Sequence, residues 1–341
     1  MADISIIIPT LNRAPTLANA LNSITRAIGP SEAVEIIIVD NGSTDHTKQI
    51  CKHIAEQFPR HQWRYFYDDM PGLLTGRHRG AKEARGDVLV YLDDDILLAP
   101  TWLESLKEAF RDPNIVLVGG PSTPAFEIEP PSWLQEFWTA IEGGRECSWL
   151  SLIERGDSVK PVDPGYIWGL NFSIRKKTFE DCEGFHPDCI PKALQRYQGD
   201  GETGLAIKIK DAGLQCLYHP GVALKHVIPA SRLTPTSFEQ RAFYQGVSDS
   251  FTRIRSQSFG NERRNKKNLK AILRSLKCRL SPSYLIRRET VTPVRQLVAR
   301  AYTAGYSFHQ NEVQNDPELL AWVLRPNYFD YALPKGWQQY L

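Results

Sequence analysis

Residues 4–40 read ISIIIPTLNRAPTLANALNSITRAIGPSEAVEIIIVD, and this stretch decides the fold. Its β-branched runs at 4–8 and 35–40 are continuous, which is typical of strands buried on both faces of a parallel sheet. Between them, residues 14–28 have apolar side chains at helical spacing and Pro15 near the start. Strand, helix and strand in this order predict a βαβ unit.

The same alternation continues along the chain. Ser43, Thr44 and Asp45 are good N-cap residues for the next helix. The pattern then predicts a helix over 47–58, a strand over 63–68, a helix over 75–85 and a strand over 87–92. Strands that alternate with helices indicate a doubly wound α/β fold with a mostly parallel central sheet.

The chain changes character twice after residue 110. From 111 to 168 the periodicity weakens and Pro and Trp accumulate, which predicts a substrate-facing insertion, and strand- and helix-like segments return up to 232. We therefore predict a catalytic domain over 1–232, made of halves 1–110 and 111–232. Residues 233–341 are predicted to form a mainly helical C-terminal extension.

Composition excludes some broad classes of protein. The 341 residues have a formal net charge of +2 and are 42% hydrophobic, so the chain as a whole is neither disordered nor strongly basic or acidic. Its six cysteines form no CxxC pair. We expect them to be reduced thiols in the cytoplasm. In an oxidising setting, Cys182 and Cys189 are the pair that would form a disulfide. The start has no secretory signal pattern, and no apolar run reaches about 18 residues.

One local stretch is strongly basic. Residues 261–288 carry ten Lys and Arg against the single acid Glu262, with leucines and Ile272 at near-helical spacing. Such a helix suits a peripheral contact with anionic lipid headgroups at the inner membrane face, or packs its apolar stripe on the catalytic domain. No nucleic-acid partner is indicated, because aromatic residues are not interleaved with the charges.

Special residues follow the predicted strands. PTLNR follows the first strand, DNGSTD the second, and Asp93, Asp94 and Asp95 the fourth. Ligands of open parallel sheets bind beyond the carboxyl ends of the strands, so these segments should line one cleft. If the strand continues, Asp93 and Asp95 point to the same side and Asp94 points away. Paired carboxylates suit Mg²⁺ or Mn²⁺ shared with phosphate oxygens.

Four motifs resemble the nucleotide-sugar half of family 2 glycosyltransferases, which have the GT-A fold. In chain order they are IIIPTLNR, VDNGSTD, GLLTGRHRGAKEARGD and YLDDD. GLNFSIRKKTFEDCEGF and GDGETGLAIKIKDAG are similar to the family's acceptor half. The resemblance covers roughly residues 3–232, and some motifs look closest to a bacterial exopolysaccharide branch. Two positions depart from the pattern: Leu11 stands where an aromatic residue is frequent, and His78 where Asn is frequent.

The resemblance implies roles for individual residues. Those expected to bind the nucleotide-sugar are Pro9, Thr10, Arg13, Asp40, Arg77, Asp93, Asp94 and Arg232. Asp40 would accept a hydrogen bond from the base, which mildly favours uracil. The other interpretations are a surface salt bridge for Arg13 or Arg77 and a helix cap for Asp40.

Asp95 is expected to hold the divalent metal, with His226 as a further ligand or as a structural histidine. The catalytic base is Glu202 when GETGL is aligned through Leu205, and Asp200 when the register slips by two. Trp168, Gly169 and Asn171 are expected to bind the acceptor.

The sequence thus predicts an inverting, metal-dependent glycosyltransferase that moves a sugar from a nucleotide-sugar to a hydroxyl of a glycan or glycolipid. The expected donor is a UDP-sugar. Two alternatives remain: a sugar-1-phosphate nucleotidyltransferase, which usually has a Gly-rich loop where PTLNR stands here, and a non-catalytic nucleotide-sugar-binding protein.

Overall fold

The computed structural model describes residues 3–29, 32, 34–259, 292–330 and 332–340. Its contacts divide the chain into two units, one of residues 1–234 with 326–341 and one of residues 235–325. The basic stretch at 261–288 lies outside the described residues, so its predicted membrane contact stays a prediction. None of the described helices is long and apolar enough to cross a bilayer.

The first unit contains an eight-stranded sheet in the order β11-β13-β6-β12-β4-β1-β2-β3. Strands β1 to β4 run parallel, β6 and β13 are parallel to each other, and β12 is antiparallel to both β4 and β6. The strands are β1 (Ile4–Thr10), β2 (Glu35–Asp40), β3 (Gln62–Tyr67), β4 (Val88–Leu92), β6 (Ile115–Gly119), β11 (Lys160–Pro161), β12 (Asn171–Arg175) and β13 (Gln215–Tyr218).

A second sheet of six short strands has the order β5-β14-β7-β10-β9-β8. The strands are β5 (Ile96–Leu98), β7 (Ser122–Phe126), β8 (Thr139–Ile141), β9 (Gly144–Cys147), β10 (Leu152–Glu154) and β14 (Leu224–Ile228). Strands β7 to β10 lie within residues 111–168, which were predicted to be an insertion without a sheet. Strand β14 carries His226 to the end of β4, because it pairs antiparallel with β5 and places His226 opposite Ile96, the residue after Asp95.

Six helices accompany the strands of the first unit: α1 (Ala14–Ile28), α2 (Thr47–Gln57), α3 (Leu73–Glu83), α4 (Trp102–Ala109), α5 (Lys176–Asp181) and α6 (Glu202–Asp211). Strands β1, β2 and β4 and helices α1, α2 and α3 agree with the predicted βαβ pattern. The N-cap of α2 is His46 and not one of the predicted residues 43–45. Asp45 still supports this end of the helix, since its carboxylate accepts hydrogen bonds from the backbone amides of Thr47 and Ala14, at the first turns of α2 and α1.

The core lies between α1, α4 and the central strands. Isoleucines and valines of β1, β2 and β4 are buried, as continuous β-branched runs predict, and Leu17, Leu21, Trp102 and Leu106 pack against them. Burial of this apolar surface fixes the strands and so fixes where their carboxyl ends lie. The polar residues after β1, β2 and β4 share one edge of the sheet for that reason.

The second unit contains helices α7 (Pro235–Phe259), α8 (Pro293–Asn315) and α9 (Pro317–Val323). Helices α7 and α8 approach closely at Gly246 and Gly305, where a Cβ would lie 2.1 and 2.0 Å from backbone oxygens of the opposite helix. The helical character agrees with the prediction for this region. Residues 326–341, which were predicted as part of the extension, group instead with the first unit, where Tyr328 is fully buried.

Candidate functional site

The three aspartates after β4 form a turn rather than a continuation of the strand. The expected alternation, with Asp94 pointing away from Asp93 and Asp95, is therefore wrong. Asp94 and Asp95 bind the same side chain, since the Arg13 guanidinium lies 2.9 Å from Asp94 and 2.8 Å from Asp95. Thr10, at the end of β1, donates a hydrogen bond of 2.7 Å to Asp94.

Burial and charge act in opposite directions on these two carboxyls. Burial raises the pKa of Asp94 to about 7, although Arg13 and Thr10 act to lower it. Burial also favours the neutral form of Asp95, but contacts with His226, Arg13 and Arg232 outweigh it and hold the pKa of Asp95 below its usual value. The Arg232 guanidinium lies 3.9 Å from Asp95. Asp95 is therefore a buried carboxylate in a positively charged setting.

His226 brings a ring nitrogen to Asp95. Its Nδ1 donates to the Leu150 carbonyl at 2.8 Å, and its Nε2 lies 3.3 Å from Asp95 Oδ1 and 3.1 Å from the Arg232 guanidinium. As a neutral imidazole, His226 accepts from Arg232 and turns a lone pair towards Asp95; as an imidazolium, it donates to Asp95. Oδ1 of Asp95 is buried, and among the described residues no hydrogen bond of good geometry reaches it.

These residues fit a divalent cation. A buried carboxylate oxygen beside an imidazole nitrogen is a pair of donors that Mn²⁺ accepts, and Mg²⁺ or Mn²⁺ commonly takes its remaining ligands from phosphates and water. Among the described residues, no cluster of three or more His, Cys, Asp and Glu forms a complete metal cage. The pair therefore fits a metal that completes its coordination with ligands from outside the protein.

Arg77 is the centre of a second charged cluster. Its side chain is 3% exposed, and its guanidinium lies 3.1 Å from Asp188, 3.5 Å from Asp93 and 3.7 Å from Glu202. Burial raises the pKa of Asp188 to about 7, with Arg77 opposing and the nearby acids reinforcing that rise. Arg77 therefore joins Asp93, which follows β4, to the helix that carries Glu202. The surface salt bridge considered for Arg77 is wrong, because its side chain is buried.

Gly169 makes room for this guanidinium. A Cβ at position 169 would lie 2.3 Å from Arg77 Nη2, closer than real Cβ contacts allow. The Gly169 amide also donates to Glu202 Oε1 at 3.3 Å. Trp168, beside it, is half-buried and donates from Nε1 to the Gly165 carbonyl at 3.1 Å.

The two candidate bases have different surroundings. The Asp200 side chain is 4% exposed and lies 2.6 Å from Nδ1 of His186. The Glu202 side chain is 28% exposed. Glu202 is the first residue of α6.

Three predicted residues lie away from the charged clusters. Asn171 is 3% exposed, accepts from Trp102 Nε1 at 3.2 Å and donates to the Val222 carbonyl at 2.8 Å, because the pleat of β12 turns it towards α4. Asp40 is buried, accepts from the Ser43 amide at 2.7 Å and from the Tyr65 hydroxyl, and so acts as a turn cap. Pro9 is buried beneath Gly76 of α3.

Asp188 and His186 were missed by the sequence analysis. Both lie in FHPDC, between the two segments identified as acceptor-side, and nothing in their spacing distinguishes them from an ordinary loop. The five described cysteines form no disulfide with one another, including Cys182 and Cys189.

Known proteins share the sequence that forms this parallel sheet and the acidic turn after β4. The sequence profile of "Glycosyl transferase family 2" matches residues 5–196, more than half of the chain. The chain belongs to glycosyltransferase family 2. The nucleotidyltransferase alternative is therefore set aside.

Two relatives come from Haloferax volcanii. Glycosyltransferase AglE is 31% identical over 117 residues, which cover 34% of this chain and 38% of the relative. A glucosyl-dolichyl phosphate glucuronosyltransferase is 26% identical over 184 residues, which cover 53% of this chain and 56% of the relative. The chain thus spans about half or less of the length of these relatives.

A solved structure confirms the GT-A fold. Mannosyltransferase PcManGT from Pyrobaculum calidifontis, in complex with GDP-Man and Mn²⁺, has a TM-score of 0.58 at 18% identity, covering 96% of this chain and 85% of that protein. The resemblance to an exopolysaccharide branch stays a prediction.

Proposed function

We propose that this family 2 glycosyltransferase moves a sugar from a nucleoside-diphosphate sugar, with inversion at the anomeric carbon, to a hydroxyl of a glycan or lipid-linked acceptor. The observation that carries the proposal is the position of Arg77, which contacts both Asp93 at the end of β4 and Glu202 on α6. The acidic turn after β4 and a partly exposed carboxylate thus meet at one guanidinium. A single displacement needs this convergence, because base and leaving group must flank the same carbon.

Glu202 is the proposed base. The acceptor oxygen forms a bond to the anomeric carbon, the bond from that carbon to the diphosphate oxygen breaks, and the hydroxyl proton passes to Glu202. A base must lie within hydrogen-bond reach of that proton, and the partly exposed Glu202 meets this condition better than Asp200, which is enclosed beside His186. Asp200 is proposed to orient the loop before α6.

The leaving diphosphate is proposed to bind at Arg13, Arg232, Asp95 and His226. Arg13 and Arg232 are partly exposed and supply positive charge near the acidic turn. A divalent metal held there by Asp95 and His226 would neutralise the developing charge of the diphosphate. Thr10 and Arg13 hold Asp94 in place beneath it.

The acceptor is proposed to lie against Trp168 and Gly169. An indole stacks well on the apolar face of a sugar, and Gly169 is next to Glu202. The names of two relatives, the glucuronosyltransferase above and a dolichol-phosphate mannosyltransferase from Pyrococcus furiosus that is 29% identical over 182 residues, favour a lipid-linked acceptor as the first to test.

A donor panel tests the proposal. Purified protein is incubated with UDP-, GDP- and dTDP-sugars, with and without Mn²⁺, and the melting temperature and release of nucleoside diphosphate are measured. A ligand that binds the folded state raises the melting temperature, and we expect this for a UDP-sugar only when Mn²⁺ is present. A GDP-sugar as the sole stabilising donor would overturn the prediction, made from Asp40, that the base is uracil. No stabilisation and no turnover with the whole panel and lipid-phosphate acceptors would contradict the function.

A further inference from the structure

His78 of α3 lies between two distant parts of the chain. His78 is buried, with 1% of its surface exposed. Nδ1 lies 3.0 Å from the carbonyl oxygen of Tyr328, and Nε2 lies 3.0 Å from the backbone nitrogen of Phe185. One imidazole thus connects α3 with the loop that follows α5 and with the C-terminal segment 326–330.

The two partners fix the tautomer. The Phe185 amide can only donate, so Nε2 carries a lone pair, and the Tyr328 carbonyl can only accept, so Nδ1 carries the hydrogen. Burial lowers the pKa of His78 to about 3, which keeps the ring neutral near pH 7. Both ring nitrogens are engaged by backbone groups, and His78 acts as a fixed connection.

The C-terminal segment also packs on the loop directly. The ring of Tyr328 lies 5.5 Å from that of His186, and the ring of Phe329 lies 5.2 Å from that of His78. Gly184 has a φ of +64°, and a Cβ there would lie 2.7 Å from His78 Nε2 and 2.9 Å from Phe329. The loop therefore approaches the segment as closely as a glycine permits.

This loop carries residues of the charged cluster. Within 184–201, Asp188 binds the Arg77 guanidinium and His186 contacts Asp200. Glu202 follows the loop immediately, and Arg77 precedes His78 on α3. His78 is thus adjacent to Arg77 in the chain, and its partner Phe185 lies in the loop that ends where Glu202 begins α6.

We propose that His78 is a positioning residue, which together with Tyr328 and Phe329 of the C-terminal segment holds the 184–201 loop so that Glu202 faces the acceptor hydroxyl. The inference rests on the proposed role of Glu202 as the base. A displacement of a base by about 1 Å costs roughly 100-fold in rate, so a buried side chain that touches no substrate still determines turnover.

The test compares three substitutions in the full-length protein. His78→Leu removes both hydrogen bonds, His78→Gln retains one donor and one acceptor, and His61→Leu is the control, because His61 is also buried, at 6% exposed, before β3. We expect His78→Leu to lower kcat at least tenfold with less than a threefold change in donor KM. His78→Gln should restore kcat to within about threefold of wild type, and His61→Leu should leave kcat near wild type.

Hydrogen exchange measured by mass spectrometry supplies a readout that does not depend on turnover. Faster exchange in 184–201 is expected for His78→Leu and not for His78→Gln. If His78→Leu does not fold, Phe329→Ala replaces it, because Phe329 is only half-buried, and the same changes in kcat and exchange are expected.

Equal kcat in His78→Leu and His61→Leu, a parallel rise in donor KM, or failure of Gln to restore kcat would overturn the proposal. Absence of turnover in the wild type would instead refute the proposed function, and unchanged exchange in the loop would then refute the positioning role separately.

Discussion

The carboxylate of Glu202 lies 3.7 Å from the buried guanidinium of Arg77. The same guanidinium contacts Asp93, so one side chain connects the acidic turn after β4 with the first residue of α6. The two residues come from separate halves of the first unit, and Gly169, two residues before β12, lies beside both of them. This contact defines the cleft in which donor and acceptor are proposed to meet.

Gly169→Ala tests whether that contact matters. The new Cβ would lie 2.3 Å from Arg77 Nη2, so the guanidinium must shift away from Glu202 and Asp93. We expect kcat to fall roughly 100-fold, as for other misplaced catalytic groups. Gly165→Ala is the matched control, since a Cβ there meets only Asp163 Oδ1 at 3.3 Å. Similar kcat for the two variants would mean that the position of Arg77 has no influence on turnover.

Asp95→Asn should remove the stabilisation that Mn²⁺ gives. The substitution replaces the buried carboxylate beside His226 with a neutral amide that binds divalent metals weakly. We expect a loss of the Mn²⁺-dependent rise in melting temperature and a large fall in turnover. Asp87→Asn, an exposed change just before β4, should retain both. A full Mn²⁺ response in Asp95→Asn would place the metal elsewhere.

Arg13→Ala should make the thermal stability of the protein depend more strongly on a divalent metal. The guanidinium is the shared partner of Asp94 and Asp95, and its loss leaves two adjacent carboxyls without that charge. We expect a lower melting temperature without metal and a larger rise on addition of Mn²⁺ than in wild type. Arg26→Ala, an exposed change on α1, is the control. An unchanged Mn²⁺ response would show that Arg13 does not compensate these carboxyls.

Stability should fall on mild acidification, partly through His78. Burial lowers its pKa to about 3, whereas a histidine in an unfolded chain titrates near 6.5. The unfolded state then binds the proton first, so stability is lost as the pH falls from about 6.5 towards 3, by up to about 1.4 kcal/mol per pH unit. Denaturant unfolding of wild type and His78→Gln between pH 7 and 5 measures this. The variant should show a shallower dependence, and equal slopes would contradict the assignment.

The first hundred residues were predictable because their pattern is local. Continuous β-branched runs and helical spacing identify β1 to β4 and α1 to α3, and the polar residues at the strand ends follow from that order. The second sheet was not predictable, since strands such as β8 and β10 have three residues each and are formed by pairing rather than by periodicity.

Individual side chains of the site were less predictable than its location. Asp94 shares Arg13 with Asp95 because a turn replaces the strand after Leu92, and Asn171 packs on Trp102 because of the pleat of β12. The contact of Tyr328 with His78 spans 250 residues, and no local pattern in the sequence indicates it.

The most direct measurement is turnover of Glu202→Gln compared with its binding of donor. We expect kcat to fall by 10²–10⁴-fold, the range typical of a lost general base, with the donor-induced thermal shift retained. Glu104→Gln, a change at a 74% exposed glutamate of α4, should match wild type, and Asp200→Asn should keep more activity than Glu202→Gln. A kcat in Glu202→Gln within a few-fold of wild type would contradict the account.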